Sequence, residues 1–591
     1  RAGAGTLAVD DLRRQIDAAR IAGAVEDGGA RIRLDDVALS GPSGRIALSG
    51  DVTAERGADG ALAGAVAQLD LGTLAIAHPA LYDAPARFDG GAATLRVAVD
   101  PLSVDVASLH LARDGFSLDA KGAAAHGEAG WTGRATGSVR SLRTDTLLAL
   151  WPKPVAPGAF RWADENLEAG LVERLDFGAR FGPEGAEGRA SFAFRDVRAA
   201  YLPPMPPIES GRGWAEIDAE RFQLTLAGGH VEGPDGGRID LAGSALRVLL
   251  DRDPEVAEVA LSGRGPLGAV MALLDTEPLA LISEFGLDPA EVAGAADAQA
   301  ALTFPMLRDL PKEEVGLSVV ATLTDPRITP PGLELPVAAE TLRLEADADR
   351  LRLSGDARID GVPARIDWAE TFSPAPGAPR TRVSLSTEAT PERLAALGVA
   401  AGDLFSGRAP ISATVTLGDD GAAFEAEADL APARLAVKRI GWEKPEGAAA
   451  TATAAGRVGA EGDVTLDRIG LDAPGLVAAG SARFGADGGL RRLALDPLRL
   501  GETTEIALTV VREGAGFAAR IGGARLDLAS LAEGAGEAFA DGGAETETPP
   551  PFRADIAVDR LDLGPAGVLE DAVGAYRRGA DGALEIRLEG A

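Results

Sequence analysis

Four histidines, His78, His110, His126 and His230, are the side chains best suited to metal binding or proton transfer in this chain of 591 residues, which contains no cysteine. No two of them stand at the spacing of metal ligands, and no His-Glu-x-x-His motif occurs. Without cysteine, disulfides, thiolate metal sites and Cys nucleophiles are excluded. The absence of a Gly-x-Ser-x-Gly elbow and of any Gly-Lys dipeptide disfavours an α/β-hydrolase and a P-loop. We therefore expect no catalytic residue, no metal and no cofactor.

The glycines Gly263, Gly265 and Gly268 fit the Gly-x-Gly-x-x-Gly pattern of dinucleotide-binding turns, and they stand between a strand-like and a helix-like stretch. A dinucleotide site also needs a second parallel strand with a ribose-binding acid near its end, and neither follows here. Pro266 would stiffen the turn where the backbone must approach a pyrophosphate. We therefore interpret these glycines as a strand-to-helix turn.

The charge balance excludes two kinds of partner. The chain has 58 Lys and Arg against 90 Asp and Glu, a net charge of −32. Phosphate affinity comes from clustered Lys and Arg, so nucleic-acid binding and adsorption to anionic headgroups through a basic surface are disfavoured. The longest apolar run, residues 267–274, is far shorter than the ~20 residues of a membrane helix, so no membrane span is predicted within the chain.

Alternation of apolar and polar residues dominates the chain and predicts β-strands with one apolar face. Turns such as Ala58-Asp59-Gly60 supply the positive φ that tight hairpins need. The spacing indicates about 30 short strands in a mainly β protein with an antiparallel sheet. The clearest segments are residues 31–39, 45–48, 94–99, 221–226, 341–345, 350–353, 382–386 and 505–511.

Helical patterns are few and short, and they interrupt the strands without the βαβ alternation of a parallel sheet. We predict hairpin repeats with one short helix over residues 1–143, a central segment with short helices and strands over 144–285, and hairpin repeats over 286–591. The predicted helices cover residues 9–21, 144–150, 164–168, 267–274, 278–285, 391–397, 526–532 and 568–577.

A degenerate repeat runs through the predicted strands. Its shape is an apolar-x-Leu pair, a turn, a second apolar-x-apolar pair and then glycine, and copies end near Gly50, Gly122, Gly355 and Gly480. Each copy is one hairpin that cannot bury its apolar side alone, so copies stacked side by side would form a continuous sheet. An ordinary β-sandwich with coincidental similarity is the alternative.

Several segments together resemble one family, the YhdP branch of the AsmA-like superfamily. No single motif is specific, and the order and spacing of the segments carry the resemblance, which is best from about residue 145 to residue 500. The matching segments are Leu150-Trp151-Pro152, Trp162, Asn166-Leu167, Gly170, residues 201–207, 211–214, 224–233, 263–268, Pro278-Leu279, and residues 407–416, 429–430 and 440–447.

The resemblance implies a non-enzymatic, bridge-like phospholipid transporter of the Gram-negative envelope. Such proteins are elongated, strongly curved β-sheets that form an open hydrophobic groove for acyl chains between the inner and outer membranes. It further implies a periplasmic location, an inner-membrane anchor preceding Arg1, outer-membrane or envelope proteins as partners at the C-terminal end, and a role in outer-membrane integrity.

On this hypothesis, alternate apolar residues of the clearest strands line the groove, whereas burial of the same residues against protein is the alternative. Two other functions stay open. A repetitive β adhesin would seal its apolar face in a dry core, and a carbohydrate-active enzyme would need two carboxylates facing a cleft. The predicted groove residues are Phe222, Leu224, Leu226, Leu342, Leu344, Leu351 and Leu353.

Overall fold

In the computed structural model, the chain is mainly β, with 68% of residues in strands, 9% helical, and a large antiparallel sheet of 33 strands. This confirms the predicted fold class. The structure describes residues 5–9, 12–153, 155–283, 286–307, 309–330, 335–396, 404–418, 421–459, 462–529, 551–578 and 584–591.

The chain divides into two compact units, Arg1–Ala321 (unit 1) and Thr322–Ala591 (unit 2). Both of the boundaries predicted from the sequence, after residues 143 and 285, lie inside unit 1. The described strands of unit 1 are β1 (Gly5–Val9), β2 (Leu12–Ile16), β3 (Ala18–Glu26), β4 (Arg31–Gly41), β5 (Gly44–Arg56), β6 (Leu62–Ile76), β7 (Ala86–Phe88), β8 (Gly90–Val99), β9 (Leu102–Arg113), β10 (Phe116–Gly127), β11 (Gly130–Arg143), β12 (Leu167–Gly182), β13 (Gly185–Ala199), β14 (Ile208–Ile217), β15 (Arg221–Glu232), β16 (Arg238–Asp240), β17 (Ala245–Leu249), β18 (Val256–Pro266) and β19 (Ala293–Pro305).

The division between the units falls within β20 (Gly316–Ile328). The described strands of unit 2 are β21 (Val337–Asp347), β22 (Arg350–Ile359), β23 (Val362–Thr371), β24 (Thr381–Ala389), β25 (Phe405–Gly407), β26 (Ala409–Gly418), β27 (Gly421–Asp429), β28 (Ala433–Val437), β29 (Trp442–Lys444), β30 (Thr451–Val458), β31 (Val464–Ala473), β32 (Leu476–Phe484), β33 (Leu490–Leu500), β34 (Thr504–Glu513), β35 (Gly516–Asp527), β36 (Phe552–Asp562), β37 (Val568–Arg578) and β38 (Leu584–Glu589).

All eight of the clearest predicted strands lie within observed strands, because short-range alternation and glycine turns favour hairpins. Consecutive strands pair antiparallel, as β4 does with β5 and β21 with β22. One described pair differs: β35 and β36 run parallel. A parallel pair of this kind cannot be joined by a two-residue hairpin turn.

The described α-helices are α1 (Thr144–Leu150), α2 (Pro157–Asn166), α3 (Leu267–Leu274) and α4 (Pro391–Ala396). α1 and α3 confirm their predicted bounds, and α4 confirms the described part of its prediction. α2 begins seven residues before its predicted start, at Pro157, a residue type favoured at the first helical position. Residues 278–282 are not helical, and Ser283 has 3-10 geometry. Leu526 and Asp527 end β35, whereas residues 528–529 are helical as predicted. Residues 284–285 and 530–532 of those two predictions lie outside the described residues.

Two predicted helices are wrong. Residues 9–21 lie largely in β1, β2 and β3, and residues 568–577 lie in β37. β3 pairs with β4 over most of its length, and β37 pairs with β36 on one side and β38 on the other. Pairing with neighbouring strands therefore overrides the helical spacing of the charges in these segments.

The connections between strands are unequal at the two ends of the sheet in each unit. In unit 1, the inserted elements all follow strands that run to the same end of the sheet, which we call the insert end. These elements are β7, β16, α1, α2 and α3. At the opposite end, the turn end, the connections between β5 and β18 are no longer than six residues. In unit 2, α4, β25, β28 and β29 share one end of the strands, which is the insert end of that unit.

Candidate functional site

One face of the sheet in unit 1 is apolar from strand to strand. Residues that pair across neighbouring strands point to the same face, so the register identifies each face directly. A single row of paired residues crosses fifteen strands, roughly 65 Å at ~4.8 Å per strand, without a polar side chain. Its members are Ile21, Val37, Leu48, Leu71, Gly91, Leu111, Leu118, Val139, Leu175, Phe192, Ala215, Leu224, Leu246, Val259 and Leu302.

Unit 2 has an apolar face of the same kind, traced in the same way. Its row begins at β21 and ends at β38, and it continues through the parallel pair of β35 and β36. Its members are Leu344, Leu353, Trp368, Val383, Val415, Phe424, Gly456, Leu466, Ala482, Leu493, Val510, Ala519, Ala554, Tyr576 and Ile586.

Most side chains of these two rows are half-buried, for example Leu48, Leu118 and Leu175 in unit 1. A second protein layer packed over a sheet face normally buries the apolar side chains between the layers. The partial exposure of most members of the rows therefore means that part of each apolar face contacts solvent.

The opposite face of each sheet is charged. Arg96 Nε donates to Glu55 Oε2 over 2.8 Å in unit 1, and Arg352 Nε donates to Asp367 Oδ1 over 2.9 Å in unit 2. The hydrogen bond from Arg352 lowers the pKa of the Asp367 carboxyl. Such exposed ion pairs contribute about 0–1 kcal/mol each, so their main effect is to keep this face hydrated.

The repeat predicted from the sequence is a hairpin with a β-bulge beside its final glycine. Register shifts lie next to Gly50, Gly122, Gly355 and Gly480 in the four copies. A Cβ at Gly122 would lie 2.6 Å from the carbonyl oxygen of Arg134 on the next strand, so only glycine fits there. Bulges bend a strand and increase its twist. The sequence predicted the hairpins and missed the bulges, although the recurring glycine marks their places.

In unit 1, Phe222, Leu224 and Leu226 lie on one side of β15, as predicted from their alternation. Leu226 is buried with Phe194 and Ala215, and Phe222 and Leu224 are half-buried against the same cluster. Leu226 is therefore buried against protein, which is the alternative given above. Phe222 and Leu224 keep part of their surface exposed.

In unit 2, Leu344 pairs with Leu353, and Leu342 and Leu351 lie on the same face. Leu342 and Leu353 are buried, whereas Leu344 and Leu351 are half-buried. The structure thus brings the four leucines together on β21 and β22. Contact of any of the seven predicted residues with lipid stays a prediction.

Inserted segments cover the insert end of the apolar face in unit 1. Tyr82 precedes β7, and Leu147 and Leu150 belong to α1; all three pack on a buried cluster that includes Leu111 and Val139. Burial raises the pKa of the Tyr82 hydroxyl. This half of the face is therefore filled by the protein's own side chains.

The small sheet of β25, β28 and β29 covers the insert end of the apolar face in unit 2, where Trp442 packs with Ala409 and Leu476. Trp442 Nε1 donates to the carbonyl oxygen of Pro474 over 2.9 Å. The ammonium of Lys444, which is fully buried, donates to the carbonyl oxygens of Ala433 and Leu430 over 2.6 and 2.8 Å. These bonds fix the small sheet in place. No pattern in the sequence marks Lys444 as a buried residue.

A buried carboxylate stands on the apolar face near the turn end of β23. Glu370 accepts hydrogen bonds from Thr381 Oγ1 over 2.7 Å and from Arg380 Nε over 2.9 Å. Because its acceptors are satisfied within the protein, we interpret Glu370 as part of the local structure.

Groups for catalysis do not converge in the described residues. His110 contacts Asp119 over 2.8 Å, and His230 contacts Arg238 over 2.9 Å, each on its own pair of strands. Within the part of the chain that the structure describes, no three His, Asp or Glu side chains are placed to hold a metal ion. The Gly263–Gly268 segment runs from β18 directly into α3, and β18 pairs antiparallel with β19, which confirms the strand-to-helix turn.

No helix in the described residues is both long and apolar enough to cross a bilayer. No protein-family model, curated protein or solved structure matches this chain.

Proposed function

We propose that the apolar faces bind the acyl chains of phospholipids and that the protein is a bridge-like phospholipid transporter between the inner and outer membranes of the Gram-negative envelope. On this proposal each apolar face is the floor of a groove, and the protein acts in the periplasm from an anchor in the inner membrane. The similarity to the AsmA-like superfamily noted in the sequence supports the same function.

One observation carries the proposal: each unit has an apolar row that crosses fifteen strands, and most side chains of the row are only partly buried. Moving a 16-carbon chain through water exposes its methylene groups, at a cost of about 13 kcal/mol from ~0.8 kcal/mol per CH₂. A carrier must cover that surface along the whole path. A row of Leu, Val, Phe and Ala side chains offers contact without directional bonds, which allows a bound chain to slide.

The first test asks whether the protein carries lipid. The chain should be purified from a Gram-negative host without detergent, and its bound molecules should be identified by mass spectrometry. We expect phospholipid in more than trace amounts. A preparation free of lipid would contradict the proposal and would favour a structural role with a dry apolar face.

The second test locates the lipid on the sheet. A photo-crosslinking residue at Leu344, which is half-buried on the apolar face, should capture a labelled phospholipid. The control is the same residue at Arg343, the preceding position, whose side chain points to the opposite face and pairs with Glu345 over 2.7 Å. Equal capture at the two positions would indicate nonspecific lipid contact.

A further inference from the structure

The apolar face of unit 1 changes from buried to exposed along each strand. On β12, Val172 at the insert end is 9% exposed, Leu175 and Phe177 are half-buried, and Phe181 at the turn end is 42% exposed. All four side chains pair with residues of β11 on the same face. The strand therefore passes from a filled core to an uncovered surface within ten residues.

In other strands of unit 1, the exposure of apolar side chains also increases from the insert end to the turn end. Val99 at the turn end of β8 and Ile32 at the turn end of β4 are exposed, whereas Leu111 at the insert end of β9 is buried. Because neighbouring strands are antiparallel, Val99 lies at the end of its strand and Ile32 at the beginning of its strand. The two residues are alike only in lying at the turn end of the sheet. The gradient is a property of the sheet and not of one strand.

Unit 2 repeats the gradient independently. On β26, Ala409 at the insert end is 2% exposed and Leu417 at the turn end is 43% exposed. Val458, at the turn end of β30, is also exposed. In both units the inserted segments cover the insert end of the apolar face, and exposed apolar side chains lie toward the turn end.

From this gradient we infer that acyl chains occupy the turn-end half of each apolar face and reach it laterally over the turn end, while the insert-end half is permanent core. This inference rests on the function proposed above. The turn-end connections of unit 1 between β5 and β18 are short, so no helix or inserted strand has to move for a chain to enter there.

The chemistry of the turn-end half fits an acyl chain better than a protein partner. The exposed side chains are aliphatic or aromatic, and the ring of Phe181 lies over Gly133, where a side chain would collide with it. Trp131, which is 38% exposed on the same face, already packs edge-on against His126 of the neighbouring strand. Protein interfaces concentrate Trp, Tyr and Arg, whose polar groups need partners. An apolar floor with few hydrogen-bonding groups matches a methylene chain.

The absence of native cysteine allows a direct test, because a single introduced thiol reports one position. The variants are Phe181→Cys at the turn end of β12, Val172→Cys at its insert end, and Arg180→Cys as a control on the opposite face. Each full-length variant is treated with a water-soluble maleimide, with and without vesicles of phosphatidylethanolamine and phosphatidylglycerol. Circular dichroism checks that each variant keeps its strand content.

We expect vesicles to slow the labelling of Phe181→Cys by about tenfold, because a covered thiol is inert, and to leave Arg180→Cys unchanged. Val172→Cys should react slowly under both conditions. Fast labelling of Val172→Cys that vesicles suppress would overturn the inference and leave the proposed function intact. Unprotected Phe181→Cys would overturn the inference if mass spectrometry finds bound phospholipid, and would contradict the proposed function itself if no lipid is found.

Discussion

The ring of Phe177 lies directly across the backbone of Gly137 on the neighbouring strand: a Cβ at Gly137 would stand 2.7 Å from the Cζ atom of Phe177. Phe194 lies over Gly213 in a similar way, with 3.1 Å between Cζ and the position of a Cβ. Both pairs belong to the apolar face of unit 1. Because glycine has no side chain, the ring can lie close to the backbone of the neighbouring strand. The ring then adds apolar surface without projecting far above the sheet.

Replacing Gly137 with alanine should destabilise the protein, because the added methyl group collides with the carbonyl oxygen of Asp119, 2.5 Å away, and with the ring of Phe177. Overpacking of this kind costs about 1–3 kcal/mol. The control is Gly178→Ala on β12, where a Cβ would lie 3.7 Å from its nearest neighbour, in ordinary contact. Urea unfolding followed by circular dichroism measures both. Equal losses of unfolding free energy in the two variants would show that the close packing over Gly137 does not require glycine.

If acyl chains move along the apolar face as proposed, a carboxylate in its turn-end half should block their transport. Val104 on β9 is half-buried and pairs with Val97 on the apolar face. A charge on an apolar path costs about 2–3 kcal/mol, so Val104→Asp should lower flux by about tenfold or more. The measurement is the detergent resistance of a bacterium that carries the variant in place of the native protein.

The control for that variant is Ser103→Asp, which puts the same charge on the opposite face, one residue away. It should leave detergent resistance unchanged. If Val104→Asp retains full resistance while the protein is present at normal levels, the apolar face of β9 is not part of a transport path.

Lys444→Met should release the small sheet of unit 2. The substitution keeps the apolar stem and removes the ammonium that holds the carbonyl oxygens of Leu430 and Ala433. The carbonyl oxygen of Leu430 still accepts from the N–H of Ala433. Losing the hydrogen bonds from the buried ammonium costs about 1–3 kcal/mol. We expect a lower melting temperature and a red-shifted fluorescence of Trp442. The control is Lys121→Met at an exposed position, and equal shifts for both would argue against a role for the buried ammonium.

The stability of unit 2 should depend on pH through Asp347, in the turn between β21 and β22. Hydrogen bonds from the backbone N–H of Asp349 and from Arg350 lower the pKa of the Asp347 carboxyl in the folded chain. The unfolded value is about 3.9. The stabilisation is therefore fully present above pH 4 and is lost as the pH falls through the lower folded pKa.

Asp347→Asn keeps a side-chain acceptor in this turn and removes the titration. Its melting temperature should therefore fall less than that of the native chain between pH 5 and the acid limit of folding. Parallel melting curves for the two proteins over this range would show that the carboxyl contributes nothing to acid sensitivity.

The sequence by itself determined which residues form strands and which side of each strand is apolar. Alternation over residues 221–226 and 350–353 is a local property, since successive side chains of an extended backbone point to opposite faces. The same reasoning failed for residues 9–21 and 568–577. Their charges fit a helical spacing as well as a strand, and only pairing with neighbouring strands decided between the two.

Tertiary structure alone decided how each apolar side chain is used. Leu342 and Leu344 are two residues apart on one strand and look equivalent in the sequence, yet Leu342 is buried and Leu344 is half-buried. The exposure of each leucine depends on the residues packed around it, and these come from other segments. On the neighbouring strand β22, Leu342 pairs with Gly355 and Leu344 pairs with Leu353. The placement of α1 and of the small sheet at the insert end also depends on the direction in which each strand runs. Periodicity within one segment carries no information about its neighbours in space, so the covered and uncovered halves of the face emerge only when the strands are assembled.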